Sequence, residues 1–503
     1  MPEDFLLIGA QEPMRTRLAD NSNVFAGIPP YFMPYGKDFI KISKNAYNFP
    51  VYALPVLAAC LRKKGISLSC INDFYSELPD VVTSAIRNTR YAVCISTTFL
   101  TNSRSIVKIA KFVRHVNPAL KIIMGGPGII NFPKTRRFAD INIFYEGEET
   151  IQELAPMTCL GQDVSKVKGI SYFNGSEEIY TDARKPIEDL GNIPIPYWSA
   201  LSKKIKEERY LPIESSRGCI GRCAFCLETR YWPGVRLYPI ERVIKEIKNN
   251  ISRFSIRHYY FQDSNMCNKR TYLASLCDAL HREDLGIRWS CESRIDTITK
   301  ELVDKMRKAG CRAITFGMES ADPRILRNMN KNISDKKMKA FLSIVKYMRK
   351  RGLIANINVI VGFPGEDKHS IKRTIEFLLE AKPVAYSMSK FFLERGADIW
   401  KDRARYGLKG SMHRWKHRTM QSSQLDDILR HIFLTVSKEL GIYHWSSASV
   451  DLIRHMGKGK RIGEFVKFLK CVNQICVEDL RRGKAAYSNE YDRSFRYITK
   501  FLS

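Results

Sequence analysis

Long hydrophobic runs are missing from this sequence: no stretch offers the ~18 uncharged apolar residues that a membrane-spanning helix requires, which excludes a helical membrane anchor within it. The opening residues Met1-Pro-Glu-Asp-Phe-Leu-Leu-Ile-Gly-Ala10 lack the basic lead and extended apolar core of a secretory leader. They are expected to form a first strand, and the protein to be cytoplasmic. There is no internal repeat of fixed short period and no low-complexity tract, which sets aside solenoid, propeller and disordered architectures. Grouped cysteines are scarce as well. Thirteen cysteines, an odd number, stand mostly alone inside apolar segments, a pattern of reduced thiols rather than of a disulfide framework.

What is present is an ordinary globular composition, 44% hydrophobic and 27% charged, over 503 residues. At about 150 residues per domain this length suggests roughly two to four domains, each able to bury its own core. The balance of 82 Lys and Arg against 52 Asp and Glu leaves a formal charge of +30. Such an excess raises the local concentration of anionic partners: nucleic acid, an acidic leader peptide, a phospholipid surface or an acidic electron carrier. No single basic run stands out, so a general surplus on solvated faces explains the charge equally well.

The first part of the chain alternates strand-like segments (Phe5–Ala10, Ile66–Ile71, Tyr91–Thr98, Lys121–Met124) with helical ones (Val51–Lys64, Ser103–Val116), the pattern of a parallel sheet covered on both faces. Residues 160 to 205 read as a connector, with a small hairpin near Gly169–Thr181 and the proline-rich Ile193-Pro-Ile-Pro-Tyr-Trp198. Six further strand and helix units follow, with strands at Leu211–Ser215, His258–Phe261, Arg288–Cys291, Ala313–Gly317, Ile357–Val361 and Ala385–Phe391. Such regularity suggests a partly closed parallel barrel. Beyond about residue 405 the pattern is helical only, as in Leu425–Leu440 and Gly463–Leu480. The expected architecture is α/β: a doubly wound, Rossmann-like domain over 1–158, a linker over 159–205, a partial (β/α)6 barrel over 206–404 and a helical C-terminal region over 405–503.

One group of cysteines is tightly spaced. In Ser216-Arg-Gly-Cys219-Ile-Gly-Arg-Cys223-Ala-Phe-Cys226 three thiols follow the first barrel strand on a glycine-containing loop. Soft thiolates suit an iron–sulfur cluster or zinc. A structural zinc site takes four ligands, usually as two close pairs, and the next cysteine, Cys267, is far along the chain. Three ligands on a cube leave one iron open, which is a catalytic arrangement.

This Cys-x3-Cys-x2-Cys spacing, with Phe225 before the third cysteine and a strand before the first, resembles the signature of the radical S-adenosylmethionine (SAM) superfamily. The resemblance implies a 4Fe–4S cluster on Cys219, Cys223 and Cys226, whose open iron is chelated by the amino and carboxylate groups of SAM, and cleavage of the sulfonium to a 5′-deoxyadenosyl radical. It also implies SAM contacts at the strand ends. Asp263 in Phe261-Gln-Asp-Ser-Asn265 stands where the family holds the methionine amino group, Glu292 and Arg294 are placed toward the ribose and carboxylate, Glu319 and Ser320 at a ribose-contacting position, and Gly362 on the backbone segment along the adenine. Phe391-Phe-Leu-Glu-Arg-Gly-Ala397 departs from the Pro-Gly-Thr turn of many relatives. Cys267 and Cys291 lie near strand ends and are candidate catalytic hydrogen-atom donors.

The order of a doubly wound domain, a proline-rich connector, a radical barrel and a helical tail is similar to the cobalamin-binding class of that superfamily, related to the anaerobic magnesium-protoporphyrin ester cyclases. Ser96 and Thr97 after the third strand, Gly125-Gly126-Pro127 after the fourth and Glu146-Gly-Glu148 after the fifth fall where that class holds cobalamin. Many such domains carry Asp-x-His-x-x-Gly after the first strand; here Gly9-Ala-Gln-Glu-Pro-Met-Arg15 has no histidine, so lower-face ligation by histidine is not expected. The implied function is C-methylation at an unactivated carbon of a peptide, lipid or natural product. Its alternatives are a radical cyclisation or rearrangement without methyl transfer, and a transfer-RNA methylthiotransferase, which would need a second cluster, for example on Cys60, Cys70 and Cys94. The implied partner is an acidic electron donor such as flavodoxin or ferredoxin; nucleic acid is admitted by the charge but not favoured.

Overall fold

The structure, a computed structural model, describes residues 2–11, 49–439, 441–445, 448–482 and 488–502. They form two compact units. The first comprises the described residues up to Glu208 together with Arg230–Phe254, and the second comprises Arg209–Thr229 and the residues from Ser255 onward.

The first unit is built on a seven-stranded sheet of β1 (Glu3–Ile8), β2 (Leu68–Ile71), β3 (Thr89–Ser96), β4 (Lys121–Gly125), β5 (Ile141–Ile143), β6 (Ile170–Asn174) and β7 (Glu177–Tyr180). Its order is β2-β1-β3-β4-β5-β6-β7. The first five strands are parallel, and their order is that of a doubly wound sheet whose direction of winding reverses between β1 and β3, where such folds bind ligands. Phe5 to Ile8 are fully buried, as a central strand covered on both faces requires. On helix Ser103–Val116, Ile106, Ile109, Ala110 and Val113 are buried at helical spacing, and the Asn102 side chain caps the start by accepting from Ser105 N.

Two features depart from expectation here. The hairpin near residues 169–181 is β6–β7, and β6 pairs antiparallel with β5 through Asn142 and Ser171. Within the stretch 159–205, residues 170–174 and 177–180 are therefore strands of the first sheet. Helix Pro79–Arg87 was not foreseen, because Val82 and Ile86 are its only buried residues and leave a weak apolar stripe.

The second unit carries a seven-stranded all-parallel sheet: β8 (Leu211–Ile213), β9 (His258–Phe261), β10 (Arg288–Arg294), β11 (Cys311–Glu319), β12 (Ile354–Val361), β13 (Ala385–Lys390) and β14 (Tyr443–His444). The six expected barrel strands are all present, and β14 adds a seventh beside β13. The C-terminal region is accordingly not helical only. It also forms a short hairpin of Lys409–Ser411 and Arg414–Lys416. Helix Ala448–Gly457 packs against β9, β10 and β11, with Ser449 Oγ 2.6 Å from Thr315 Oγ1. Thr315 is in register with Glu292 on one side and Asn356 on the other, so this row faces the helix inside the barrel. Asp451, Arg454 and His455 of the helix are buried, and Asp451 accepts from Trp445 Nε1 at 2.6 Å. A helix buried on nearly all sides lacks the polar face by which periodicity finds helices.

Candidate active site

The three cysteines lie on the loop that leaves β8, and the loop is held from several sides. Asn268 brackets the first thiol: its Nδ2 donates to Gly218 O at 2.9 Å and its Oδ1 accepts from Ile220 N at 3.1 Å, on either side of Cys219. Asn265 in turn donates to Asn268 Oδ1. Farther along, Asn330 Nδ2 donates to Arg222 O at 2.7 Å and Ala224 N to Met329 O at 2.9 Å. Arg294 grips Asp296 through two parallel bonds of 2.9 and 3.1 Å and places Nη1 3.5 Å from Cys223 Sγ. Gly221 admits this guanidinium, since a Cβ there would stand 2.7 Å from Nη1.

The donor set fits an iron–sulfur cube. Thiolates are its usual ligands, and hydrogen bonds to their sulfurs set its potential. Gly221 N donates to Cys219 Sγ at 3.3 Å and Glu228 N to Cys226 Sγ at 3.4 Å. Burial pushes the Cys219 thiol up, and the Gly221 N–H pulls against it. Among the described residues no three His, Cys, Asp or Glu side chains are grouped as ligands of a single metal ion. A cube places each thiolate on a different iron. Cys60 lies inside helix Ala53–Lys63, while Cys70 and Cys94 flank Leu7 of β1 in register and share its face of the sheet.

Strand parity assigns the remaining candidates. Tyr260, Glu292 and Thr315 share the face toward the barrel interior, and Tyr260 donates to Glu292 Oε1 at 2.8 Å. Burial, opposed by that hydroxyl, raises the Glu292 carboxyl. Glu319 ends β11 in a left-handed conformation (φ 69°) and accepts from Lys331 Nζ at 3.2 Å, a buried pair in a strained backbone position of the kind that gathers at functional sites. Phe225 is half-buried, with its ring 6.2 Å from and nearly perpendicular to that of Phe363. Gly362 is backed by Trp415 and Leu425, and its carbonyl meets His417 Nε2 at 3.1 Å.

Several expected roles change. Asp263 does not reach toward a ligand: it is buried and accepts from Ser215 N, from Ser215 Oγ at 2.8 Å and from Ser216 Oγ at 2.6 Å, so it anchors the start of the cysteine loop. Burial lifts it to about 6 against those donors. Arg294 is committed to Asp296 and Cys223 rather than free for a carboxylate. Ser320 is fully buried, and its Oγ accepts from Asp322 N. Cys291 is in register with Phe261 and Ile314, on the face opposite Glu292. It lies among Cys311 and Cys277, and burial raises its thiol well above the ordinary range. Cys267 is buried and donates to Thr297 O at 3.3 Å. Neither thiol faces the barrel interior, which removes both as hydrogen-atom donors.

The sequence reading missed Glu214, Glu228, Asn268 and Lys331. Glu214 directly follows β8 and is held by Arg217 and Gln262. Burial first, then Glu214, Glu292 and Asp263, raise the Glu228 carboxyl, so carboxylates crowd the mouth of the barrel within a chain of strongly positive net charge. Strand-end position could have found Glu214; nothing local marks Asn268 or Lys331.

Glu366, in the loop after β12, gives a pH prediction. It is buried and raised to about 8, by burial against the Gly362 N–H at 2.5 Å. The folded state therefore holds a proton that the unfolded chain releases above 4.5, and stability falls as pH rises through that window, by up to about 1.4 kcal/mol per pH unit. Replacing Glu366 by Gln is expected to widen the melting-temperature gap over wild type between about pH 5 and pH 9. A gap that does not change with pH would place the Glu366 proton elsewhere.

In the first unit, the loops after β3 and β4 lock together at the carboxyl end of the sheet. Thr97 donates from both N and Oγ1 to Gly125 O at 2.8 Å and is fully buried, so it braces the crevice rather than lining it. Ser96 Oγ lies 3.0 Å from Thr98 Oγ1. Gly126 has φ 100°, and a Cβ there would stand 3.2 Å from Thr97 Oγ1 and Thr98 N. Gly126 thus serves the turn, and Pro127 begins a short helix. Gly125 has ordinary room, its nearest neighbour being Ile143 O at 3.6 Å. Glu146 accepts from Arg236 and Ile187 N, a structural tie. At the end of β1, Gln11 is buried and its Oε1 has no hydrogen-bond partner among the described residues. An orphan acceptor beside the β1/β3 reversal fits a crevice made for a polar ligand. Residues 12–15 of the segment without histidine lie outside the described residues.

Residues 213–378 match the model of the radical SAM superfamily, and residues 42–155 that of the B12 binding domain. The chain is 27% identical over 350 residues to an uncharacterized methyltransferase of Pyrococcus horikoshii, covering 65% of this chain and 74% of the relative. It is 25% identical over 290 residues to the anaerobic magnesium-protoporphyrin IX monomethyl ester cyclase of Rubrivivax gelatinosus, covering 54% of this chain and 51% of that protein, about half its length. The solved structure of TsrM from Kitasatospora setae, a radical S-adenosylmethionine methyltransferase with cobalamin and a 4Fe–4S cluster bound, has a TM-score of 0.69 at 12% identity over 100% of this chain and 99% of that one. This likeness is one of fold.

Proposed function

Because the chain belongs to the radical SAM proteins that carry a B12-binding domain ahead of the barrel, we propose that it is a cobalamin-dependent enzyme that transfers a methyl group to an unactivated carbon. The observation that carries this reading is the braced loop of Cys219, Cys223 and Cys226 at the barrel mouth of a chain whose first unit has a switch-point crevice. When bound, the cluster supplies the electron that cleaves SAM and cobalamin carries the methyl group.

The chain's own residues bind and orient. Cys219, Cys223 and Cys226 hold the cluster, and Arg294 steadies Cys223. Glu292 and Glu319 would supply compensating charge to the sulfonium and ammonium of SAM, and the crowding of carboxylates at the barrel mouth would lower the cost of bringing in a cation. Ser96, Gly125 and Gln11 border the crevice proposed for cobalamin. The substrate is a peptide, lipid or natural product, and the reductant an acidic electron carrier drawn to a basic protein. Among the described residues no helix is long and apolar enough to cross a membrane.

The deciding experiment is anaerobic turnover with deuteromethyl SAM against candidate substrates, read by mass spectrometry. A product carrying a labelled methyl group is expected. A product of unchanged carbon count would instead favour the cyclisation reading, which the similarity to the magnesium-protoporphyrin cyclase supports.

A further inference from the structure

The amino ends of the first sheet carry a second concavity, on the side opposite the switch-point crevice. A cavity of about 590 Å³ opens between the last half of helix Ser103–Val116, the starts of β4 and β5, and the segment after helix Glu148–Cys159. Its volume lies in the range of about 300–1,000 Å³ that holds small-molecule ligands.

The rim is cationic. Lys111, Lys121 and Arg137 are exposed around it, and neither Lys111 nor Arg137 forms an ion pair among the described residues. The one carboxylate, Asp140, is already engaged: its Oδ2 accepts from Arg114 Nη2 at 2.6 Å and from Ile122 N at 2.7 Å, and Lys121 approaches Oδ1 only to 3.9 Å. Arg114 is closed off as well, donating to Pro118 O and Leu120 O. Asp140 is thus shared between Arg114 and, more distantly, Lys121, and with Lys111 and Arg137 the concave surface keeps a net positive charge, where fields of one sign concentrate counter-ions.

Flat apolar surfaces complete the cavity. Lys111 Nζ sits 5.8 Å from the centre of the Phe138 ring, and Tyr172 and Phe173 of β6 form a wall. Cations beside aromatic faces suit a phosphate group joined to a planar ring.

The geometry points to a binding site for a diphosphate anion, carried on a nucleoside or free as pyrophosphate, at the amino edge of the first unit, opposite its switch-point crevice. Lys111, Lys121 and Arg137 hold the phosphate oxygens, and Phe138 with Tyr172 receives the ring of a nucleotide.

The test is calorimetric titration of the full-length, reconstituted protein with ADP, pyrophosphate and adenosine, with excess SAM present so that the barrel is filled. Saturable, salt-sensitive binding of ADP is expected, weakened tenfold or more, about 1.4 kcal/mol per decade, by Lys111→Ala with Arg137→Ala, and also by Gln162→Trp, which fills the cavity without removing charge. Both sets of changes lie on exposed residues, so the fold is preserved. Pyrophosphate binding as tightly as ADP would assign the site to the free anion, and weaker binding of pyrophosphate to the nucleotide. The proposal is overturned if neither anion saturates, if adenosine binds as well as ADP, or if the variants bind as wild type does.

Discussion

Replacing Cys219, Cys223 and Cys226 together by alanine removes the iron and, with it, all cleavage of SAM, while the protein still folds. The expectation follows from position. The three side chains sit on a loop whose backbone is fixed by Asn268, Asn330 and Met329 rather than by the thiols themselves, and Cys226 is exposed. Their loss leaves the braces intact but removes every ligand of the cube. Iron analysis and the absorbance of anaerobically reconstituted protein measure the first effect, and release of 5′-deoxyadenosine measures the second. About four irons per chain retained by the triple variant would sink the assignment. Such retention would point to a second set of thiols, with Cys60, Cys70 and Cys94 the first to test.

Wild-type protein, reconstituted with hydroxocobalamin and desalted, is expected to retain the cofactor in equimolar amount, and Gly125→Trp to lower its affinity at least tenfold, about 1.4 kcal/mol, with the cluster unaffected. Gly125 is the informative position because its backbone accepts a side chain, whereas any residue at Gly126 strains a left-handed turn against Thr97 and Thr98 and would perturb the fold whether or not cobalamin binds. The spectrum of the Co(II) form should lack nitrogen splitting from a protein imidazole. The first histidine of the chain is His115, in the last turn of helix Ser103–Val116 and thus at the amino end of the sheet, away from the crevice. Wild-type protein that retains no cobalamin would overturn the methyl-transfer reading. A histidine-ligated spectrum would mean that a residue from elsewhere reaches the cobalt.

Much of this was legible from sequence because the signals are local. The barrel strands announce themselves as apolar and β-branched runs at strand ends that carry polar residues, and the cysteine spacing lies within a single loop. Parity was legible too but unused: Trp289, Cys291 and Ser293 alternate with Ser290, Glu292 and Arg294, and once Glu292 faces inward Cys291 cannot. What sequence could not show is where a polar side chain spends its hydrogen bonds. Asp263 stands at a strand end, as a ligand-binding acid would, yet Ser215 and Ser216 consume its oxygens, and that partnership joins residues 48 and 47 positions apart. Asn268 and Lys331 act by the same long-range route. The two-residue strand Tyr443–His444 has no period to detect, and its place beside β13 is set by Ala385 and Tyr386.

That strand and the helix after it also order events in time. The sheet that begins at Leu211 gains its last strand only at Tyr443, and the helix Ala448–Gly457 enters the barrel later still. A nascent chain emerging at about 5–20 residues per second thus carries an unfinished barrel, with the buried hydroxyl of Thr315 and amide of Asn356 still wet, until more than two hundred residues after its first strand have been made. Contacts of such sequence separation slow folding, and the open edge of β13 meanwhile offers unpaired backbone to any neighbouring chain. The strand Tyr443–His444 and the helix Ala448–Gly457 close the barrel against such encounters.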